Sequence, residues 1–559
     1  MQNANFSIGL CFSGGGYRAV GFSLGTLSYL NKVMLDDKSL LRHVVALSTV
    51  SGGTITGTKY ALSVQNDVPF HDFYHELMDF MKEVDLVGLS IERLTVKDKH
   101  WPSGRVRSLI CAIADVYDSK LFNQASFGRL LNDAPKCHLK HISFNATEFA
   151  NALQFRFQWS EKVIQEDPNA PERGLIGNYY IAIPEKVAAN IRMADILAAS
   201  SCFPGGFEPI NFPNDFILTG EDLEQLKLSD KTMGLPVGLM DGGIVDNQGI
   251  EPILLAESRM KQNERNKPVE DRRDTVLDLI VVSDVASPFM VAFTASEQKP
   301  SKGWRRWTPH SIFIVSLLVL LGSAYMLFRS IMKEQVIWSS IYTAVLISSL
   351  FMFAIADFVT SLPDKLYVPP QFVKPIGKLL RLKLLVYENL IINRVHSLLK
   401  MSGEVFLKHV RRLNYSKIFA TDQWKNRRIM TALYELKDDK QQWASKMQKQ
   451  DMPDYFIPTT AIHTVATKAA LMGTTLWFTK EEIASGIPDA LVATGQFTIC
   501  WNLLEYIYKI KKDPTNLSAA HEQLIALEET IKADWQKFRN DPLWLVEEEN
   551  SKRVDKKTK

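Results

Sequence analysis

The stretch Leu47-Ser48-Thr49-Val50-Ser51-Gly52-Gly53 decides how the rest of the chain is read. An apolar run from Val44 leads into it, and Thr54 to Leu62, which reads as helix, follows. A strand that turns straight into a helix through a serine lifts the hydroxyl out of the sheet edge, where it can attack a carbonyl. Small residues must flank such a serine, because the backbone there is crowded and strained.

A serine nucleophile needs an oxyanion hole and a base, and the chain offers a candidate for each. Gly14-Gly15-Gly16-Tyr17-Arg18 follows an apolar run, Ile8 to Phe12, and opens a helix from Arg18 to Leu30. Glycines let backbone N–H groups approach an anionic oxygen closely, and the helix N-terminus adds positive potential. The base candidate is Asp241, in Leu239-Met240-Asp241-Gly242-Gly243. Asp246 competes with it, but only Asp241 leads a Gly-Gly pair.

The order Gly-Gly-Gly-x-Arg, Ser-Gly-Gly, Asp-Gly-Gly resembles the patatin-like phospholipase family. Two further stretches resemble it: Ile142 to Thr147, a strand ending in Ala-Thr, and Ala194 to Phe207, a helix of small residues entering a Pro-Gly loop. The resemblance covers roughly residues 6–290. It implies an α/β, patatin-like three-layer fold with a mostly parallel central sheet. It also implies hydrolysis of lipid acyl esters by a serine–aspartate dyad without histidine. Ser51 is then the nucleophile and Asp241 the base. The Gly14, Gly15, Gly16 loop is the oxyanion hole, with the N–H groups of Gly15 and Gly16 as donors. Arg18 matches the Gly-Gly-Gly-x-Arg/Lys position, where a cation can bind a substrate phosphate. No cofactor and no metal are implied. One departure stands out: Thr49 occupies a place where the family usually has glycine, and a β-branched residue there narrows the elbow.

The 559 residues exceed one ordinary domain. Lys+Arg 65 against Asp+Glu 62 leaves a net charge of +3, which argues against nucleic acid as a partner. The five cysteines show no metal-binding spacing, and their odd number argues against a disulfide framework. Met1 to Asn5 lacks the basic start of a signal peptide.

Residues 6–160 alternate strand and helix patterns, and Val276 to Val282 reads as a buried strand. Phe70 to Leu94 and Leu109 to Leu131 are amphipathic, so they either pack on the sheet or cover a lipid site. Ser160 to Asn178 reads as a surface loop. Then the composition changes. Ser311 to Ile331 carries only Arg329, and Val336 to Ala356 carries no charge. Each run has 21 residues, and ~20 apolar residues cross a bilayer as a helix. Lys299, Lys302, Arg305 and Arg306 precede the pair and Lys365, Lys374, Lys378 and Arg381 follow, whereas the loop holds Lys333 alone. That asymmetry predicts a two-pass hairpin with the catalytic domain and the C-terminus on the cytoplasmic side.

The expected organisation is a catalytic domain over 1–295, a basic linker over 296–310, and spans over 311–331 and 336–356. A helical C-terminal region over 365–545 follows, packing on the catalytic domain or lying along the membrane, and 546–559 is a flexible tail. Thr479 with Glu482 predicts a capped helix start. A Ser-His-Asp triad would draw on His463 or His521, and neither sits in a strand-end loop. The Gly14–Gly16 loop lacks the Gly-Lys-Ser/Thr ending of a nucleotide cradle. The expected function is a membrane-anchored lipid acyl hydrolase of phospholipase or lysophospholipase type, acting on membrane phospholipids or other acyl lipids. The alternatives are a non-catalytic membrane scaffold on the same fold and a lipid transacylase.

Overall fold

The computed structural model describes residues 6–95, 101–131 except 103, 137–161, 174–286 except 230, 231 and 233, 307–365, 383–437, 443–512 except 444, 446 and 449, and 518–557. They fall into two compact units. One joins residues 1–289 to 406–559, and the other is 290–405.

Among the described residues the first unit is built on a sheet of eight strands: β1 (Ile8–Phe12), β2 (Val44–Val50), β3 (His141–Glu148), β4 (Leu153–Ser160), β5 (Ile210–Phe212), β6 (Val237–Asp241), β7 (Leu279–Asp284) and β8 (Arg428–Ala432). Their order is β8-β7-β1-β2-β3-β6-β5, with β4 on the other edge of β3. The pairs β8/β7, β7/β1, β1/β2 and β2/β3 are parallel; those of β3 with β4 and β6, and β5 with β6, are antiparallel. Every residue of β1 and β7 is buried. Their near-continuous apolar runs are what a parallel sheet covered on both faces requires. The mixed α/β fold and mostly parallel sheet are those expected.

Register brings two chain ends together. Along one edge of β3, Val50 of β2 pairs with Asn145, and Asp241 of β6 pairs with the next residue, Ala146. Because β2 is parallel to β3 and β6 antiparallel, they run out head to head. The residue after Val50 is Ser51.

Helix α1 (Gly16–Lys32) follows β1, α2 (Gly52–Gln65) follows β2, α3 (Met193–Ser201) precedes β5, and α4 (Ile250–Arg265) precedes β7. Phe73, Leu77 and Ile113, from the amphipathic stretches between β2 and β3, lie in the main core, so those stretches pack. Residues after 406 belong to the same unit and complete it. The C-terminal region is not wholly helical: β8 extends the sheet at its edge. The 26-residue helix Ile487–Lys512 lies on α1, and the two approach closely at glycines. A Cβ on Gly25 would sit 2.0 Å from the Val492 carbonyl oxygen, and one on Gly495 would sit 2.2 Å from that of Phe22. The expected tail is instead helical from Trp544 to Lys557, and Arg553 makes two 2.8 Å contacts with Asp79.

The second unit contains α5 (Pro309–Met332) and α6 (Val336–Lys365), which pack on each other. Thr308 and Ser311 form a capping box at the start of α5. The Phe313 and Phe353 rings lie 5.1 Å apart, and the Ser330 and Ser339 hydroxyls 3.0 Å apart. His310–Met332 and Val336–Ile355 are long and apolar enough to cross a membrane, and only 11% and 6% of these stretches are buried. A core helix of a soluble fold would be mostly covered; these carry Leu318, Phe328, Ile337 and Phe351 in the open. The residues expected as basic flanks, Lys299 to Arg306 and Lys374 to Arg381, lie outside the described residues, as do 162–173 of the expected surface loop and the side chain of Lys365.

Candidate active site

Ser51 sits between β2 and α2 with φ 52° and ψ −124°. A non-glycine residue in so sparsely populated a conformation costs about 1–3 kcal/mol and persists only where its surroundings impose it. Here a chain of hydroxyls does so. The Ser51 N–H donates to Ser200 Oγ at 3.0 Å. The Ser200 hydroxyl donates to the Asn145 carbonyl at 2.7 Å and lies 2.8 Å from Thr54 Oγ1. Thr49 Oγ1 donates to Thr54 at 3.1 Å. Ser200 is held in turn by α3, whose Asp195 is fully buried and receives Arg105 at 3.0 Å and Arg192 at 2.7 Å.

Thr49 therefore has a task at the elbow. Its methyl group fits over a second glycine, since a Cβ on Gly57 of α2 would stand 2.4 Å from Thr49 Cγ2. The bulk added on the strand is matched by bulk missing on the helix.

Asp241 ends β6 and is 3% exposed. Its N–H donates to the Cys202 carbonyl at 2.9 Å, and its own carbonyl receives the Thr147 hydroxyl at 2.9 Å. Burial lifts its carboxyl from the usual 3.8 to about 6, against the opposing pull of the neighbouring Ser51 side chain and of a hydrogen bond from the Gly243 N–H at 2.7 Å. The structure thus places the Ser51 side chain beside the Asp241 carboxyl. Such a carboxylate is a stronger base than an exposed one.

The glycine loop divides by role. The Gly14 N–H is taken by the Asn247 carbonyl at 3.1 Å, so Gly14 is no oxyanion donor. Among the described residues the N–H groups of Gly15 and Gly16 have no backbone partner outside α1. Both adopt positive φ, 149° and 60°. Gly16 also lies against a loop far along the chain: a Cβ there would meet the Thr475 carbonyl oxygen at 2.3 Å, and the Tyr17 N–H donates to that oxygen at 2.8 Å.

Arg18, expected at a substrate phosphate, is turned to the C-terminal region. It is 9% exposed, donates to Tyr434 Oη at 2.8 Å and to the Met472 carbonyl at 3.1 Å, and lies over the Tyr434 ring. This position braces the loop instead of presenting a free cation. Asp246, the competing base, has both oxygens on backbone N–H groups: Gln248 at 3.2 Å, Gly249 at 3.0 Å and Glu251 at 2.8 Å. It anchors the start of α4. His463 and His521 face the carbonyls of Leu436 and Asn426 at 2.9 Å. Sequence reasoning missed Ser200 and Thr475. The Ala-Ala-Ser-Ser run around Ser200 was visible, but which of its hydroxyls meets the elbow depends on helix rotation.

Comparisons with known proteins come down on the same segment. Residues 10–254 match the Patatin-like phospholipase family, so the chain carries a patatin-like phospholipase domain there. Among curated proteins none matches. A solved structure of human GIVD cytosolic phospholipase A2, in complex with a methyl gamma-linolenyl fluorophosphonate inhibitor and terbium chloride, is 16% identical with a TM-score of 0.25. The alignment covers 51% of this chain and 41% of that one, and a likeness so distant carries no argument.

Proposed function

We propose, from the premise of a patatin-like phospholipase domain over residues 10–254, that this chain is a membrane-anchored lipid acyl hydrolase using Ser51 and Asp241. The observation that carries the proposal is the head-to-head meeting of β2 and β6, which sets the buried Asp241 carboxyl beside the Ser51 side chain.

In the first half-reaction Ser51 Oγ attacks the ester carbonyl carbon while Asp241 takes its proton. The N–H groups of Gly15 and Gly16 hold the developing oxyanion, where each donor contributes about 3 kcal/mol of barrier lowering. The intermediate collapses, the proton passes from Asp241 to the leaving alkoxide, and an acyl-Ser51 remains. Water then attacks the acyl carbon with Asp241 again accepting the proton, and as the bond to Ser51 Oγ breaks and the free acid leaves, Asp241 returns that proton to Ser51 Oγ. With the Asp241 carboxyl beside Ser51, the reading needs no intervening histidine.

Two 21-residue apolar runs favour anchoring by α5 and α6. The excess of Lys and Arg outside the hairpin favours the catalytic unit and C-terminus on the cytoplasmic side. An enzyme tethered beside an insoluble substrate meets it at high effective concentration.

The test is labelling of detergent-solubilised full-length protein by a fluorophosphonate probe, with lipid mass analysis after expression. Wild type labels and releases fatty acid from phospholipid; Ser51→Ala and Asp241→Asn do neither. Hydrolysis that survives in Ser51→Ala would sink the assignment. An acylated lipid alcohol in place of free acid would make the protein a transacylase. No labelling of folded wild type would leave the scaffold.

A further inference from the structure

The chain leaves the first unit after Phe289 and returns at Phe406. The last strand before the departure is β7, ending at Asp284, and the first helix wholly after the return is Leu407–Phe419. Arg411 of that helix places both Nε, at 2.8 Å, and Nη2, at 2.7 Å, on Asp284 Oδ2. Gln248 Nε2 donates to the same oxygen at 2.8 Å, and the Ala286 N–H holds Oδ1 at 2.8 Å. Asp284 and Gln248 are fully buried. The strand before the 116-residue segment 290–405 and the helix after it are thus tied together at one carboxylate.

That carboxylate adjoins the catalytic loops. Ser283, one residue back, pairs with Phe12 and accepts the Ser13 N–H at 3.0 Å. Val285, one residue on, donates its N–H to Ser13 Oγ at 3.0 Å, and its Cγ2 lies 2.5 Å from where a Cβ on Gly15 would be. On the other side, Gln248 follows Asn247, whose carbonyl holds the Gly14 N–H. Asn414, one turn beyond Arg411, donates to the Val245 carbonyl at 2.8 Å, in the turn after Asp241.

We propose that Arg411, Asp284 and Gln248 are positioning residues that lock the Gly14–Gly16 loop against the Asp241 turn and make turnover depend on how the 290–405 insertion is held. This rests on the hydrolase reading above and on the insertion lying in a bilayer. A guanidinium with two donors on one buried carboxylate oxygen fixes a direction as well as a charge. If the helix carrying Arg411 is displaced, Asp284 loses its cation, and a buried carboxylate without one does not stay where it was. Val285 then shifts against Gly15, the residue expected to donate to the oxyanion.

The experiment uses full-length protein and a soluble short-chain ester, so lipid access plays no part. Arg411→Gln lowers kcat at least tenfold and leaves KM within twofold; Arg411→Lys, with one ammonium, recovers part of the loss. Gln248→Ala, which keeps the ion pair and decides the matter if Arg411→Gln does not fold, lowers kcat about threefold or more. Wild-type kcat differs at least threefold between detergent micelles and phosphatidylcholine–phosphatidylglycerol nanodiscs, and Arg411→Gln removes that difference. Unchanged kcat in both variants, a loss expressed wholly in KM, or equal wild-type kcat in the two media would overturn the proposal. Failure of the underlying hydrolase reading is separate, because it appears as ester hydrolysis that survives Ser51→Ala.

Discussion

Replacing Ser200 with alanine removes the hinge of the hydroxyl chain while leaving every group expected to touch substrate. The Ser51 N–H, in a residue 9% exposed, loses its 3.0 Å acceptor; the Asn145 carbonyl loses a 2.7 Å donor; and Thr54 loses a 2.8 Å neighbour. One buried donor left unpaired costs about 1–3 kcal/mol, which sets the expected loss of stability. The elbow holds a conformation that itself costs about 1–3 kcal/mol. Freed from Ser200, Ser51 relaxes toward ordinary φ and turns its hydroxyl from Asp241. If about 1.4–2.7 kcal/mol of that strain must be restored in the transition state, kcat falls about 10- to 100-fold. Ser200 lies behind the elbow, so KM should hold within about twofold. The assay is steady-state hydrolysis of a soluble ester beside thermal unfolding in detergent, with Ser51→Ala as background. A normal kcat in a protein whose Tm has dropped would refute the reasoning: packing of β2 on α2, not Ser200, would then set the elbow.

Four further outcomes are expected. Asp241 must be ionised to accept a proton, so kcat/KM should rise about tenfold per pH unit up to about 6 and level off above it; a profile flat from pH 5 to 8 would exclude Asp241 as base. Because its folded pKa of about 6 lies above the usual 3.8, the native state binds this proton more tightly than the unfolded one, and stability falls as pH rises between those values. At about 1.36 kcal/mol per unit, Asp241→Asn should stabilise the fold by up to about 3 kcal/mol at pH 8 and by less at pH 4.5, measured by thermal unfolding, while abolishing hydrolysis. Gly16→Ala should lower kcat about 100-fold or more, since φ is 60° and the new Cβ would meet the Thr474 and Thr475 carbonyl oxygens at 2.5 and 2.3 Å; a change in KM alone would make the loop a binding element. The protein should resist carbonate extraction, and a cysteine at Lys333 should react only from the side opposite the catalytic unit; release into the carbonate supernatant would remove the anchor.

The turns at Ser51 and Asp241 were legible because each is local: a strand's apolar run, then one polar residue, then glycines. The same holds for the Thr479–Glu482 cap, whose hydrogen bonds form as expected, and for the uncharged runs that become α5 and α6. What stayed hidden depends on distant partners. β8 is five residues with alternating half-burial and an arginine at its start, so neither periodicity nor apolar length marks it; only β7 makes it a strand. Arg18 matched a motif position, yet Tyr434 and Met472, more than four hundred residues on, decide where its guanidinium points. Gly14 matched the oxyanion loop, but the Asn247 carbonyl takes its N–H.

On the proposed reading, an ionised Asp241 carries a cost that the surrounding chain must offset. An aspartate at its usual 3.8 is a weak base for a serine; at about 6 it is roughly two orders of magnitude stronger. That gain comes from burial, and an ionised carboxylate held there at neutral pH costs the fold about 3 kcal/mol, a large share of a domain's 5–15 kcal/mol. The strained elbow adds to the same side. The compensation lies in the packing around β3, in α3 with its buried Asp195, and in the C-terminal segment that extends the sheet through β8 and closes on α1. Residues 406–559 therefore complete the unit that holds Ser51 and Asp241. The two stretches of that unit, on either side of residues 290–405, are joined where Arg411 meets Asp284.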